Sequence, residues 1–378
     1  MSFSRRSFPR IPLYLGMAAT GVGVALPGVI LPSLVTRLKL QDDQAGLLLL
    51  LAWLGSSLGA LLLRGSLCTV LAAGSALVAG SALGLSGLHE ESLRGLFFLY
   101  GLGLGVTMTT ISVLCQQKAD SKRVELIRLN LAWAVGACVC PSLALHVALR
   151  GDPGPLLFAL GLCFGVFSLW TTQALPSGLR LKRKDIAQEP MLHGVPRYLV
   201  VMTFLATGIE AAFGGWLTTY AGRTHQGLTV VVAAPTCFWA GLLLSRFTWS
   251  LFGATMRTGQ LLRGSLCLIA WSALSLIATT SSIGVLLAAF GLGFGLGPVY
   301  PLLLALALDF KESGVVFFVA GLGSACLPWL TGLISKQHAS LHVGLFAPAV
   351  AAVLMLALSL VFPLQRSEVL RETTGEST

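Results

Sequence analysis

The residue of this sequence best placed to do chemistry is Glu210, which lies in a long apolar stretch. Residues 198–222 contain no other Asp or Glu and no Lys or Arg. An ionised carboxylate in apolar surroundings is costly, so acids in such positions usually face a cavity and serve the passage of ions or solutes. We therefore predict that Glu210 binds and releases a proton. The alternative is a protonated glutamic acid that hydrogen-bonds to the backbone between helices.

The composition indicates what kind of scaffold must position this acid. Of the 378 residues, 55% are hydrophobic and only 11% are charged, whereas a soluble domain carries about 25% charged residues. The net charge of +10 is divided among short clusters between apolar runs, which leaves no separate basic domain for nucleic acid. The eight cysteines form no C-x-x-C pair, which argues against a disulfide scaffold. The sequence predicts an integral membrane protein that binds lipid and no nucleic acid.

The charged residues divide the chain into apolar stretches of membrane-spanning length. A spanning helix needs about 20 predominantly apolar residues, and the stretch 264–308 is long enough for two, with a turn at 279–282. The stretches lack the alternation of barrel strands, so we predict twelve transmembrane helices. The stretches are 11–36, 44–63, 65–89, 95–117, 129–149, 153–179, 198–222, 224–245, 264–308, 313–335 and 337–365.

The basic residues predict the orientation of these helices. With a cytoplasmic amino terminus, 19 Lys and Arg residues fall on the cytoplasmic side, and cytoplasmic loops are enriched in these residues. We therefore expect both termini in the cytoplasm and a multi-pass protein of the cell inner (plasma) membrane. The six that fall outside are Arg37, Lys39, Arg94, Arg150, Arg223 and Lys336.

The two halves of the sequence repeat one another. The heptapeptide 62–68 recurs as 261–267, and the spaced glycines of 101–105 recur in 291–295. Ala19-Thr20-Gly21 and Gly136-x4-Pro141 have counterparts in the same order in the second half. We therefore predict two pseudo-symmetric six-helix bundles. Their expected boundaries are a first bundle at 1–175, a cytoplasmic linker at 176–196, a second bundle at 197–365 and a polar tail at 366–378.

This plan and three motifs resemble the major facilitator superfamily, in particular its fucose/glucose–proton symporter branch. Residues 208–221 match the pattern G-x-E-x-x-x-G-G-W-x-x-x-Y, and residues 129–137 and 295–301 resemble the fifth and tenth helices of that branch. The resemblance implies a transporter whose solute site lies near the membrane midplane between the halves. Gly23 occupies the place that duplicates Glu210, so the acid of the first helix in fucose symporters is missing here.

Polar and aromatic residues in the spans are candidates for binding a sugar. Asn130 and Gln116 offer amide groups to hydroxyls, and aromatic rings stack on sugar rings. Each has an alternative: Asn130 could join helices, Gln116 could face solvent at a helix end, and the rings could pack or mark the membrane interface. Trp239 and Trp329 are weaker candidates. The aromatic candidates are Trp133, Trp216, Tyr220 and Tyr300.

Two arginines are candidates for gating. The superfamily loop G-x-x-x-D-R-x-G-R-R keeps Gly59 and Arg64 here, but Leu63 replaces its acid. Gly241 and Arg246 repeat the spacing of Gly59 and Arg64 in the second half. We therefore expect a cytoplasmic gate that the two halves hold asymmetrically.

No other motif predicts a cofactor, a metal or an enzyme. The glycine runs lie inside apolar spans with no strand before them, and no Gly-x-x-x-x-Gly-Lys-[Ser/Thr] motif occurs. His338 and His342 have helical spacing but no evident third ligand. We therefore expect no cofactor, no bound metal and no enzymatic activity.

The function predicted from the sequence is proton-coupled uptake of a sugar or similar small polar solute by a monomer. An exporter or exchanger of amphipathic compounds, such as drugs or lipids, is the first alternative. A sensor that binds a sugar without moving it is the second, and the lack of room for a soluble output domain argues against it.

Overall fold

The structure is a computed structural model. The predicted linker lies outside the described residues except for its last two, and the polar tail lies wholly outside. The described residues are 10–87, 89–117, 119, 121–144, 151–175, 195–224, 227–252, 258–307 and 313–362.

Within the described residues the chain forms thirteen helices and no strand. The first half contains α1 (Arg10–Arg37), α2 (Asp42–Ala60), α3 (Leu67–Ser86), α4 (Glu90–Gln117), α5 (Lys122–Leu143) and α6 (Gly154–Ala174). The second half contains α7 (Arg197–Arg223), α8 (Leu228–Phe252), α9 (Thr258–Ala278), α10 (Ser282–Ala307), α11 (Ser313–His338), α12 (Leu341–Gly344) and α13 (Phe346–Val361).

Eleven helical segments of the described residues have the length and hydropathy needed to cross a membrane. The short α12 and α13 count as one of them, Leu341–Val361. The remaining helix, α2, has two acidic residues in its first turn, Asp42 and Asp43. The all-helical prediction is confirmed for the described residues, and the predicted turn at 279–282 covers the connection between α9 and α10 and the first residue of α10.

The helices run alternately up and down, so the bundle has two ends. We call the end where α1 finishes and α2 begins the Arg37 end, and the opposite one the Arg10 end. Helix pairs of the first half recur six helices later: α1 packs on α5 as α7 packs on α11, and α2 packs on α4 as α8 packs on α10. The packing thus follows the duplication in the sequence.

Among the described residues, the most extensive packing between the two halves is that of three helix pairs: α2 with α11, α5 with α8, and α1 with α7. In the third pair the backbones touch, because a Cβ atom on Gly28 of α1 would overlap the carbonyl oxygen of Gly214 in α7. Only glycine permits this approach. The contact places the middle of α7 at the boundary between the halves.

Candidate functional site

Glu210 lies at the middle of α7, thirteen residues from Arg197 and thirteen from Arg223. Its side chain is only half-buried, although most of the surrounding helix is buried. Among the described residues it makes no hydrogen bond and no ion pair within 4.0 Å. The carboxyl group is therefore not tied into the packing as a structural glutamic acid would be.

Arg246 of α8 is the charged group that acts on Glu210 among the described residues, and Glu210 acts on it in turn. Tyr300 of α10 lies within the field of both groups. Arg246 lies over the ring of Trp133 in α5, with its guanidinium carbon 5.0 Å from the ring centroid. Because α5 belongs to the first half, Arg246 connects this charged site to the opposite half.

A second tryptophan completes the contact between the halves. Trp239 of α8 meets Trp133 edge to face, with ring centroids 5.8 Å apart. Both rings are at least nine-tenths buried. We call the five residues of this site the central cluster: Trp133, Glu210, Trp239, Arg246 and Tyr300.

Three buried N–H groups of the central cluster have no protein acceptor among the described residues. They are Nε1 of Trp133, Nε1 of Trp239 and Nε of Arg246. A buried polar group without a partner costs about 1–3 kcal/mol. All three are donors, so the cluster can bind a solute rich in acceptor atoms at little further cost in desolvation.

The first half has no counterpart of this acid. Tyr100 of α4 donates a hydrogen bond to the carbonyl oxygen of Gly23, at 2.7 Å. A Cβ atom on Gly23 would lie 2.9 Å from Leu104 and 3.1 Å from the Tyr100 hydroxyl. The space of a carboxylate at position 23 is therefore filled by neighbouring side chains.

Two of the predicted solute-binding aromatics are fully buried and hydrogen-bonded elsewhere. Trp216 donates from Nε1 to the carbonyl oxygen of Pro328 in α11, at 2.8 Å. The Tyr220 hydroxyl donates to the carbonyl oxygen of Leu276 in α9, at 3.1 Å. Both side chains hold α7 to its neighbours in the second half, as in the packing alternative.

Except for Arg246, the predicted amide and gating residues lie outside the central cluster. Asn130 is exposed and donates to its own helix at Leu126, and half-buried Gln116 does the same at Ser112. Arg64 is exposed in the short connection between α2 and α3. Arg246 lies six residues before the end of α8 at Phe252.

The sequence pattern missed a buried acid. Glu125 lies in the first turn of α5, is 2% exposed, and accepts a hydrogen bond of 2.6 Å from the Tyr14 hydroxyl. Lys122, Arg123 and Arg128 lie within three residues of Glu125, so the absence of charge could not mark the start of α5. The helix begins at Lys122, seven residues before the uncharged stretch at 129.

At the Arg37 end, charged side chains link the halves. Arg223 of α7 binds both carboxylate oxygens of Asp42, at 2.6 and 2.7 Å, and Ser335 of α11 donates to the same carboxylate. Lys336 donates to Asp43 at 2.8 Å. Among the described residues, the hydrogen bonds we find between side chains of the two halves all lie at this end.

A similar pair at the Arg37 end lies within the first half. Arg37 donates to Asp152, which also accepts the backbone N–H of Gly154. That N–H and the guanidinium hold the pKa of Asp152 below its ordinary value. This aspartate is therefore ionised at neutral pH without joining the halves.

A cavity of about 490 Å³ lies beside these ion pairs. It opens between the ends of α1 and α5 on one side and α7 and the start of α8 on the other. Its walls include Pro32, Pro141 and Pro235, and the buried hydroxyl of Thr218 on its wall has no partner among the described residues. The interface between α5 and α8 is thus closed at Trp133 and Trp239 and open at the Arg37 end.

The described residues contain no group of three His, Cys, Asp or Glu side chains that could hold a metal ion. The Nε2 atom of His342, one of the two histidines with helical spacing, lies 2.9 Å from the carbonyl oxygen of Ile277.

Comparison with solved structures shows which proteins share this architecture. A D-xylose–proton symporter matches with a TM-score of 0.73 and 12% identity, over 95% of this chain and 98% of the other. A bacterial homologue of the human lysosomal transporter Spinster, inward-facing and occupied, matches with a TM-score of 0.68 and 13% identity, over 96% and 97%. FucP, a major facilitator superfamily transporter in the outward conformation, matches with a TM-score of 0.62 and 15% identity, over 94% and 98%.

No family model matches the sequence, and a comparison with curated proteins finds no match. The chain has the fold of the major facilitator superfamily transporters, as the sequence motifs predicted. With its many apolar helices, it is a multi-pass membrane protein.

Proposed function

We propose that this protein is a secondary active transporter that takes up a sugar or similar small polar solute together with a proton. The observation that carries the proposal is the position of Glu210. Its half-buried carboxyl group has no hydrogen-bond partner among the described residues, and it lies beside Arg246 where the halves meet. Carboxylates in such positions of membrane proteins commonly serve proton and solute paths.

The transport cycle follows from the cost of burying charge. When the site opens outward, Glu210 binds a proton and the solute occupies the free donors of the central cluster. The halves then close over the site and reopen on the other side, where water reaches the carboxyl group and proton and solute leave. The Arg37 end serves as the outer gate in this scheme, with both termini in the cytoplasm of the cell that carries the protein in its plasma membrane.

One observation favours a different cargo. The cavity at the Arg37 end has mainly apolar walls that include three prolines. Apolar walls with a few polar groups suit an amphipathic molecule. Export or exchange of amphipathic compounds is therefore the second candidate function.

Replacement of Glu210 tests the coupling. In Glu210→Gln the site cannot exchange a proton, so solute should no longer accumulate against its gradient while exchange across the membrane continues. The measurement is uptake of labelled solute by liposomes that contain the purified protein, with and without an inward proton gradient.

The matched control is Glu90→Gln, which changes an exposed acid at the start of α4. It should accumulate solute like the unaltered protein. Accumulation by Glu210→Gln at the level of Glu90→Gln would show that the proton does not use this carboxyl group. A thermal unfolding profile of each variant separates loss of coupling from loss of the fold.

A further inference from the structure

The central cluster contains one acid and one base, so its net charge is zero when Glu210 is ionised. Arg246 from α8 and Tyr300 from α10 are the titratable groups that act on Glu210. The other helices packed on α7 are α1, α11 and α13, and their described residues contribute no charged group that acts on it. The charge of the site therefore depends on Glu210 and Arg246 alone.

Protonation of Glu210 leaves this site with an unbalanced positive charge. The guanidinium group keeps its proton in proteins, so Arg246 remains charged at every step of the cycle. An unpaired charge enclosed between helices is costly because the surroundings cannot replace its water. A neutral solute would not remove that cost when the halves close around it, whereas an anion would.

The hydrogen-bonding groups of the site point to the same class of solute. The fully buried unpartnered polar atoms of the central cluster, on Trp133, Trp239 and Arg246, are all donors. Ionised carboxylates only accept hydrogen bonds, and they pair with guanidinium groups in a fork geometry. The guanidinium carbon of Arg246 lies over the Trp133 ring, and the buried Nε–H of Arg246 has no acceptor among the described residues and is available to a solute.

We propose that the transported solute is a small organic anion with a single negative charge, such as a sugar acid, and that it moves with one proton. The proposal rests on the proposed function and specifies its substrate class. Arg246 binds the carboxylate of the solute, and the tryptophan N–H groups bind its other oxygens. The loaded and the empty site then both have zero net charge when the halves close.

Liposomes that contain the purified full chain test the proposal with a matched pair of solutes, glucuronate and glucose. An inward proton gradient should drive uptake of glucuronate and leave glucose outside. A potassium diffusion potential, negative inside, should change glucuronate accumulation less than twofold, because proton and anion together carry no charge. For a carrier that moves one net positive charge, about 59 mV changes the accumulation ratio tenfold.

The outcomes separate this proposal from the proposed function. One outcome is uptake of glucose, increased by both the proton gradient and the potential, without uptake of glucuronate. It would show that the solute is not an anion, and proton-coupled transport would remain supported. Movement of neither solute under any gradient counts against both. Uptake of glucuronate that the potential strongly alters refutes the neutral stoichiometry.

Variants test whether Arg246 supplies the positive charge that binds the anion. Glucuronate binding should weaken at least tenfold in Arg246→Gln and should persist in Glu210→Gln, where the arginine has no competing charge. Arg94→Gln, an exposed basic residue of α4, is the matched control and should bind as the unaltered protein does. Stabilisation against heat by glucuronate reports binding and folding in one measurement, and equal stabilisation of Arg246→Gln and Arg94→Gln contradicts the proposal.

A measurement on the unaltered protein avoids any dependence on folding of the variants. Addition of glucuronate to the purified protein in weakly buffered detergent should draw one proton from solution for each anion bound. Addition of glucose should leave the pH unchanged. Proton uptake with glucose and none with glucuronate would show that the solute is a neutral sugar and not an anion.

Discussion

At the scale of single residues, Trp133 and Trp216 show how tryptophans of two different motifs come to have different roles. Trp216 uses its N–H group to bind the carbonyl oxygen of Pro328, whereas the N–H group of Trp133 has no acceptor among the described residues. The first side chain is committed to packing, and the second is free to bind a ligand. Sequence spacing placed both among the solute-binding candidates, because spacing carries no information about which donors are already used.

The same substitution at both positions tests this difference. Trp216→Phe leaves the carbonyl of Pro328 without its donor, which should lower the free energy of unfolding by about 1–3 kcal/mol and leave KM unchanged. Trp133→Phe removes a donor from the central cluster and should raise KM about tenfold, with little loss of stability. Thermal unfolding and the concentration dependence of solute uptake measure the two effects.

The control for these variants is Trp271→Phe in α9, where the ring is 72% exposed. It should change neither the free energy of unfolding nor the KM for solute uptake. An increase in KM that is equal for Trp133→Phe and Trp216→Phe would mean that both rings act on the solute site through packing.

At the scale of helices, the ion pairs of the Arg37 end hold α2 of the first half to α7 and α11 of the second. Asp42→Asn removes the charge that both Arg223 and Ser335 bind. We expect this end to open more often, because the loss weakens a contact between the halves and no contact within them. Spin labels at Lys39 and Gly227, both exposed at this end, report the separation through the distribution of their distances in a cysteine-free background.

Asp152→Asn is the matched control, since it breaks the pair with Arg37 inside the first half. The distance distribution of the labels should stay that of the unaltered protein. A longer distance in Asp152→Asn, or an unchanged one in Asp42→Asn, would show that the pairs at this end do not control the separation of the halves.

The limits of the sequence patterns also appear at the scale of helices. Uncharged stretches located the helices well where a charged loop follows directly, as at Arg37 or Arg223. They placed the start of α5 too late, because its first turns carry charged residues and bury Glu125 against Tyr14. A pattern of charge shows where a helix can enter lipid, and it does not show where another helix covers a charged side chain.

At the scale of the whole molecule, the accessibility of single cysteines tests the orientation predicted from the basic residues. We expect the Arg37 end outside the cell and the Arg10 end in the cytoplasm. Single cysteines at Gly227 and Ser121, in a background without the native cysteines, mark the two ends. An impermeant maleimide should label Gly227→Cys in intact cells and Ser121→Cys only after permeabilisation, and the reverse pattern would invert the topology.

The duplication predicted the arrangement of the helices but not the chemistry of the site. Helix pairs of the two halves correspond, because each half must bury similar apolar faces with similar glycines. The central cluster depends instead on the meeting of α5 with α8 across the halves, and motifs within one helix do not encode that meeting. The place of Gly23 shows the divergence, since Tyr100 fills the space that an acid would need.

The cavity at the Arg37 end matters for the control of this protein by other molecules. Because residues of both halves line it, its dimensions must change whenever the halves move relative to one another. A compound that fits it in the present conformation would stabilise that conformation in proportion to its preference for it. Such a compound would slow turnover without competing for the central cluster, which makes the cavity a starting point for allosteric inhibitors.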